Sequence, residues 1–289
     1  MYCINTATGK EVWATHVGAS IYSTAVLSRA DGGKRVFVPV TDGSVVAFEA
    51  STGSVLWRYS LPAAVASEPV LSIDDSMLVV GCHDGVVYTI YTATNFSQST
   101  RIVWSAVAGK HCTQDPLHGC SVQSDGVLSL DGKVVFTASD DGIVYALRMS
   151  DGVAVWTLDT GVEPVQCGLT LSSDSTSLFF GSFGGKIWRV NATTGGTLWT
   201  FDTQGPVGSK PVLSSDDSSL FQGSFDGYFY ALNASDGDLL WRYNTNGAVH
   251  SDPAVDNDQK VVFGASYSGE LFALSQSGKP VDLASWSMT

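Results

Sequence analysis

The sequence predicts an all-β fold, a β-propeller built from four-stranded antiparallel blades. Three observations predict it. A tryptophan recurs every 42–52 residues, each interval holds the same order of short apolar runs and glycine turns, and no window has the apolar spacing of an amphipathic helix. A unit of this length cannot bury both faces of its own sheet, whereas sheets arranged radially pack on one another. We therefore expect residues 1–289 to form a single domain.

The composition agrees with a packed, strand-rich chain and excludes several classes of protein. Of the 289 residues, 44% are hydrophobic, 15% are charged and 30 are glycine, so the chain is neither a disordered acidic tail nor a coiled coil. The formal net charge of −13 would repel a phosphate backbone, which disfavours nucleic acid as a partner. No run of 18 apolar residues is present, so we expect no membrane-spanning helix.

The unit that ends at Trp241 shows the predicted elements in order. A serine–proline segment at 209–213 predicts a short first strand, and an Asp/Ser turn follows it. The apolar run at 220–223 predicts the second strand. The Asp-Gly pair at 226–227 predicts a hairpin turn, because both turn residues need positive φ. The alternating run at 228–232 predicts the third strand, and another Asp-Gly turn leads into the tryptophan strand.

The number of repeated elements leaves two blade counts open. Tryptophan strands, first strands and second strands each number six, whereas third strands number seven because 2–5 resembles an extra one, which makes 25 strands. Six blades are preferred, because the N-terminal Trp13 strand can then complete the C-terminal blade and close the ring without an unpaired edge. Seven blades are the alternative, with a first blade two strands short and 281–287 as a poor final strand.

The units resemble the quinoprotein-type repeat, also called the PQQ-like repeat. Its pattern is a strand with Tyr-Ala-Leu, a Thr-Gly or Asp-Gly turn and a tryptophan four residues later, and it is present at 230–237 with Trp241. The resemblance covers nearly the whole chain and implies that the tryptophans dock between neighbouring blades as structural residues. These are Trp13, Trp57, Trp104, Trp156, Trp199 and Trp241. The turns at 81–85 and 223–227 are most similar to those in the C-terminal propeller of β-alanine-activating, acyl-CoA-synthetase-like enzymes.

The resemblance implies two functional branches, quinone-dependent alcohol and sugar dehydrogenases and non-catalytic propellers. The dehydrogenases use PQQ with a calcium ion, a disulfide between adjacent cysteines and long loops. Here no two cysteines are adjacent and most loops span two to six residues. We therefore expect a non-catalytic binding or scaffolding module without a cofactor, either by itself or as part of a larger adenylate-forming enzyme. Its partner would be a protein or a covalently linked domain. A PQQ- and calcium-dependent dehydrogenase is the alternative.

The segment 111–120 interrupts the repeat within the longest tryptophan interval. It carries His111, Cys112, His118 and Cys120, and two thiols with two imidazoles could hold a zinc ion. A Cys112–Cys120 disulfide and an ordinary insertion with incidental residues are the alternatives, and the spacing does not decide among the three.

The indications of compartment disagree. Three of the five cysteines lie in apolar runs typical of buried free thiols, and these are Cys3, Cys82 and Cys167. Free thiols and an N-terminus without a signal-peptide pattern favour the cytoplasm. Sequons at Asn95, Asn191 and Asn233 favour instead a secreted, glycosylated structural protein. Asn191 and Asn233 occupy equivalent repeat positions, where asparagine starts a turn, so turn chemistry is the simpler explanation for these two.

Overall fold

The computed structural model describes residues 1–97, 99–108, 121–161, 163–258 and 260–281. These residues form strands, turns and bends, and none of them is helical, which confirms the all-β prediction. Accordingly, the described part of the chain has no helix that could cross a membrane. The chain divides into two compact units, Met1–Asp159 and Thr160–Thr289.

The first unit holds four antiparallel sheets, and in each of them the strands lie side by side in chain order. The N-terminal sheet has two strands, β1 (Tyr2–Ile4) and β2 (Glu11–Ala14). The second sheet consists of β3 (Val26–Leu27), β4 (Arg35–Pro39), β5 (Ser44–Glu49) and β6 (Val55–Ser60). The third consists of β7 (Val70–Leu71), β8 (Met77–Gly81), β9 (Val86–Tyr91) and β10 (Ile102–Val107). The fourth consists of β11 (Val127–Leu128), β12 (Val134–Ala138), β13 (Ile143–Arg148) and β14 (Ala154–Asp159).

The second unit holds three further antiparallel sheets of the same pattern. The fifth sheet consists of β15 (Thr170–Leu171), β16 (Ser177–Ser182), β17 (Lys186–Asn191) and β18 (Thr197–Asp202). The sixth consists of β19 (Val212–Leu213), β20 (Ser219–Gly223), β21 (Tyr228–Asn233) and β22 (Leu239–Asn244). The seventh consists of β23 (Ala254–Asp256), β24 (Val261–Ala265) and β25 (Leu271–Ser275).

The preference for six blades is wrong, because the described residues form seven sheets. The predicted N-terminal Trp13 strand, β2, pairs with β1 and so builds a sheet of its own. A tight turn favours this pairing, since Asn5 N–H donates to Lys10 O at 2.8 Å and a short loop costs little closure entropy. In the seventh sheet, the residues that follow β25 fold back onto that strand, and Val281 N–H donates to Ala273 O at 2.9 Å.

The tryptophan side chains join neighbouring sheets within each unit. Five of the six predicted tryptophans donate their indole N–H to a backbone carbonyl of the sheet that follows in the chain, at 2.8–3.1 Å. The pairs are Trp13 with Ala50, Trp57 with Thr92, Trp104 with Met149, Trp199 with Ala234 and Trp241 with Gln276. Trp156, the last predicted member, lies 5.7 Å from Phe136 between ring centroids.

In three sheets the glycine that lies four residues before the tryptophan receives the tryptophan of the preceding sheet. The pairs are Gly53 with Trp13, Gly152 with Trp104 and Gly237 with Trp199. A Cβ at Gly53 would lie 2.5 Å from the Trp13 ring, so the indole rests directly on the glycine backbone. The loop of the third sheet lacks this glycine, and there the Arg101 guanidinium lies 4.2 Å from the Trp57 ring centroid instead. The recurring glycine and the recurring tryptophan are therefore in contact across neighbouring sheets.

Candidate binding surface

The predicted zinc or disulfide residues His111, Cys112, His118 and Cys120 lie outside the described residues, so both interpretations stay predictions. Within the described ranges, no group of three or more His, Cys, Asp or Glu side chains could hold a metal ion.

The three sequon asparagines differ in their surroundings. Asn191 Oδ1 accepts the backbone N–H groups of Thr193 and Thr194 at 3.0 and 2.9 Å. Asn233 Oδ1 accepts the Ser235 N–H at 2.9 Å, so both side chains hold turns. Asn95 is exposed in a loop. Glycosylation of each stays a prediction.

Two buried thiols have structural contacts. Cys167 Sγ donates to Gly181 O and accepts Gly181 N–H at 3.0 and 3.1 Å. Ser209 Oγ makes the same pair of bonds with Gly223, at 3.2 and 3.1 Å, so the thiol stands where a sibling sheet has a hydroxyl. Burial raises the pKa of Cys82 to about 11, which keeps this thiol protonated and unreactive.

The aspartates of the Asp-Gly hairpins hold their own turns. Asp84 Oδ1 accepts the backbone N–H two residues later at 3.0 Å, and Oδ2 accepts the Tyr88 hydroxyl at 2.8 Å. Asp226 repeats both contacts, with the Tyr230 hydroxyl at 2.7 Å. Burial, and then the neighbouring carboxylate, raises the pKa of Tyr88 and of Tyr230 above the usual range of the phenol. These carboxylates accept hydrogen bonds from the protein's own backbone and tyrosine hydroxyls, so their role is structural.

The turn between the second and third strands carries one backbone hydrogen bond that recurs in six sheets. Its residue donates N–H to a carbonyl of the loop before the first strand, at 2.9–3.0 Å. The pairs are Thr41 with Ser20, His83 with Ala64, Asp140 with Ser121, Phe183 with Pro164, Phe225 with Pro206 and Tyr267 with Ala248. Because only the backbone takes part, the fold does not specify the side chain. It is polar or charged in the first unit and aromatic in all three sheets of the second.

The three aromatic turn residues meet a histidine and form one group, the aromatic cluster, which consists of Phe183, Phe225, His250 and Tyr267. Phe225 is its centre, with its ring centroid 5.9 Å from that of Phe183, 5.3 Å from that of His250 and 6.3 Å from that of Tyr267. His250 and Tyr267 both stand nearly perpendicular to Phe225, at 83° and 81°. Tyr267 is 70% exposed and His250 is also exposed, whereas Phe183 and Phe225 are half-buried, so the cluster reaches the surface through two of its four rings.

A glycine lets the cluster close. A Cβ at Gly208 would lie 2.9 Å from Phe225, 3.3 Å from His250 and 3.4 Å from Phe183. Three of the rings thus pack against bare backbone, and a side chain there would push them apart.

Reasoning from the sequence did not identify this cluster. The signal that could have found it is the recurrence of an aromatic residue at one repeat position, at 183, 225 and 267. Alignment of the repeats shows the recurrence but does not show that the three rings touch.

Comparison with known proteins identifies the repeat. The model of the family described as outer membrane protein assembly factor BamB matches residues 1–166 and 184–281. The chain belongs to this family. Its membership confirms the predicted PQQ-like, quinoprotein-type repeat.

Individual relatives of the BamB family cover the chain in part. The chain is 36% identical over 97 residues to the β-alanine-activating enzyme of Danio rerio, which is 32% of this chain and 8% of that enzyme. It is 29% identical over 162 residues to the outer membrane protein assembly factor BamB of Yersinia pestis, which is 52% of this chain and 36% of that protein. The chain thus spans about a third or less of each of these curated relatives.

A solved structure of a BamB protein has the same fold as this chain. The crystal structure of BamB from Moraxella catarrhalis superposes with a TM-score of 0.74 at 20% identity, covering 95% of this chain and 77% of that one. At this identity the likeness establishes the fold alone.

Proposed function

We propose that this chain is a non-catalytic PQQ-like β-propeller module that binds a partner protein and acts as a scaffold. The observation that carries the proposal is the aromatic cluster: three of its four rings occupy turn positions where the backbone does not require an aromatic residue, and His250 and Tyr267 are exposed. Exposed aromatic groups gathered in one place are typical of protein interfaces.

Family membership supports the same proposal. The Yersinia relative is named as an assembly factor, and a scaffold that holds other proteins fits that name. The Danio relative is an enzyme of which the matching segment is 8%, so the partner is either a separate protein or a covalently linked domain. The proposal includes no resident cofactor and no nucleic-acid partner.

Site-specific photo-cross-linking tests the proposal. Tyr267 is replaced by the photoreactive p-benzoylphenylalanine, and Tyr22, which is 82% exposed in the first unit, is replaced in a control protein. Both proteins are irradiated in extract from the source organism. We expect one discrete adduct from position 267 that is absent at position 22, and the adducted protein, identified by mass spectrometry and purified, should rebind the wild-type chain.

Two results would overturn the proposal. One is the absence of a position-specific adduct. The other is turnover of alcohols or sugars by the purified protein after reconstitution with PQQ and calcium, which would make the module an enzyme.

A further inference from the structure

The aromatic cluster has a spacing that selects an extended ligand. Successive turn rings lie 5.9 Å apart from Phe183 to Phe225 and 6.3 Å apart from Phe225 to Tyr267. In an extended chain, side chains at i and i+2 point the same way about 6.6 Å apart. Two such side chains would therefore meet two successive rings.

The charge of the surrounding segments selects cationic side chains. The loops and turns at this end of the second unit carry four carboxylates, and these are Glu163, Asp226, Asp252 and Glu270. These loops also carry Lys210, and Lys186 at the start of β17 is already paired with Asp202. Two of the carboxylates lie close to the cluster along the chain, because Asp226 follows Phe225 directly and Asp252 is two residues beyond His250. Residues 160–289 as a whole have 13 acidic and six basic side chains, so the whole unit attracts a cationic segment and the rings determine where it docks.

Aromatic faces and carboxylates together recognise the guanidinium group best. Its planar cation stacks on a ring face and is less strongly hydrated than an ammonium, so it loses less on leaving water. The protein uses this contact internally, since Arg242 lies 4.5 Å from the Tyr228 ring centroid.

We infer that the aromatic cluster of Phe183, Phe225, His250 and Tyr267 is the docking site for an extended partner segment with arginines at i and i+2. The inference rests on the proposed function and names the chemistry of the partner. The arginine side chains lie on the exposed ring faces, and the carboxylates around the cluster attract their charge.

Fluorescence anisotropy with defined peptides tests the inference. The probe is a fluorescein-labelled peptide of four Ser-Arg repeats. One control peptide has citrulline in place of each arginine, and the other has four arginines followed by four serines, so that charge is kept and spacing lost. We expect the alternating arginine peptide to bind at least about fivefold more tightly than either control.

A variant that keeps the protein's charge isolates the rings. Phe225→Thr with Tyr267→Ser places polar residues in turns where Thr41 already serves a sibling sheet. This double variant should bind the arginine peptide at least about fivefold more weakly, while Tyr22→Ser, which removes an exposed tyrosine elsewhere, should bind it unchanged. Circular dichroism melting curves establish that all the variants are folded.

Three results would overturn the inference. They are equal binding of the arginine and citrulline peptides, equal binding of the two arginine peptides, and an unchanged affinity of the double variant. The cross-linked partner separates this failure from that of the proposed function. If purified partner still binds the double variant as it binds the wild type, the scaffold function stands and the cluster is not its site.

Discussion

Replacement of Trp57 by alanine is the perturbation that tests the packing between sheets most directly. Trp57 is 8% exposed, and its indole N–H donates to Thr92 O at 2.9 Å. Its ring faces the Arg101 guanidinium at 4.2 Å, and Arg101 is itself only 2% exposed. Trp57→Ala therefore removes a buried ring, a hydrogen bond and the aromatic partner of a buried cation.

The expected loss follows from these contacts. Burying about 200 Å² of tryptophan surface at about 25 cal/mol per Å² is worth about 5 kcal/mol, close to the 3–5 kcal/mol that such truncations cost. The lost cation–π contact adds about 1 kcal/mol. Arg101 keeps the carbonyl oxygens of Tyr91, Ala93 and Phe96, which limits the penalty on its charge. We expect Trp57→Ala to lower the free energy of unfolding by about 6 kcal/mol.

Urea unfolding followed by circular dichroism measures the loss. Hydrogen exchange localises it, since amides of residues 92–97 should lose protection more than those of the second unit. Trp57→Phe is the matched variant, because it keeps a ring for Arg101 but cannot donate to Thr92, and it should recover about half of the loss. A loss below about 1 kcal/mol for Trp57→Ala would refute the docking role.

Three further predictions concern the turns and the buried thiol. Gly53→Ala should lower the free energy of unfolding by about 3 kcal/mol, because the docked indole leaves no room for a Cβ and φ is +70°. Gly9→Ala, with φ of +65° and open space around it, should cost only about 1 kcal/mol, and equal losses in urea unfolding would contradict the docking contact. Cys167→Ser should be neutral within about 1 kcal/mol, whereas Cys167→Ala should cost about 2 kcal/mol because Gly181 N–H and C=O lose their partner, and thermal melts should rank the two variants accordingly. Hydrogen bonds from the neighbouring serines lower the pKa of Asp216 to about 2, so its stabilising contribution is present above its usual pKa near 4 and is lost as the pH falls toward 2. Melting temperatures of Asp216→Asn should therefore fall less between pH 4 and pH 2 than those of the wild type, and parallel curves would count against this reasoning.

Much of the local structure could be predicted from the sequence. The third strand expected at 228–232 is β21, Tyr228–Asn233, and the second strand expected at 220–223 is β20, Ser219–Gly223. Both strand predictions succeed because side-chain alternation is a local property of the backbone. The expectation of positive φ at both residues of the Asp-Gly turn is wrong, because only Gly227 has it. The preference for six blades failed because the strand that pairs with β2 is decided only when the chain folds. The sequence allowed β2 to pair either with the C-terminal blade or with β1, and in the structure it pairs with β1.

The candidate site was beyond such reasoning. Phe183, Phe225 and Tyr267 are separated by 42 residues each along the chain, and only the packing of successive sheets brings their rings within about 6 Å. Gly208 contributes because it has no Cβ that would push the rings apart. Its φ is not positive, so turn geometry does not require a glycine there.

The sequence by itself determined the strands, their hairpin turns and the recurring tryptophan and glycine, because each depends on residues a few positions apart. Only the tertiary structure decided that the glycine of one sheet contacts the tryptophan of another, that the N-terminal strands form a sheet of their own, and that four rings meet in the second unit. Contacts between residues about 40 positions apart are set by how neighbouring sheets bury their faces, and local backbone preference carries no information about that arrangement.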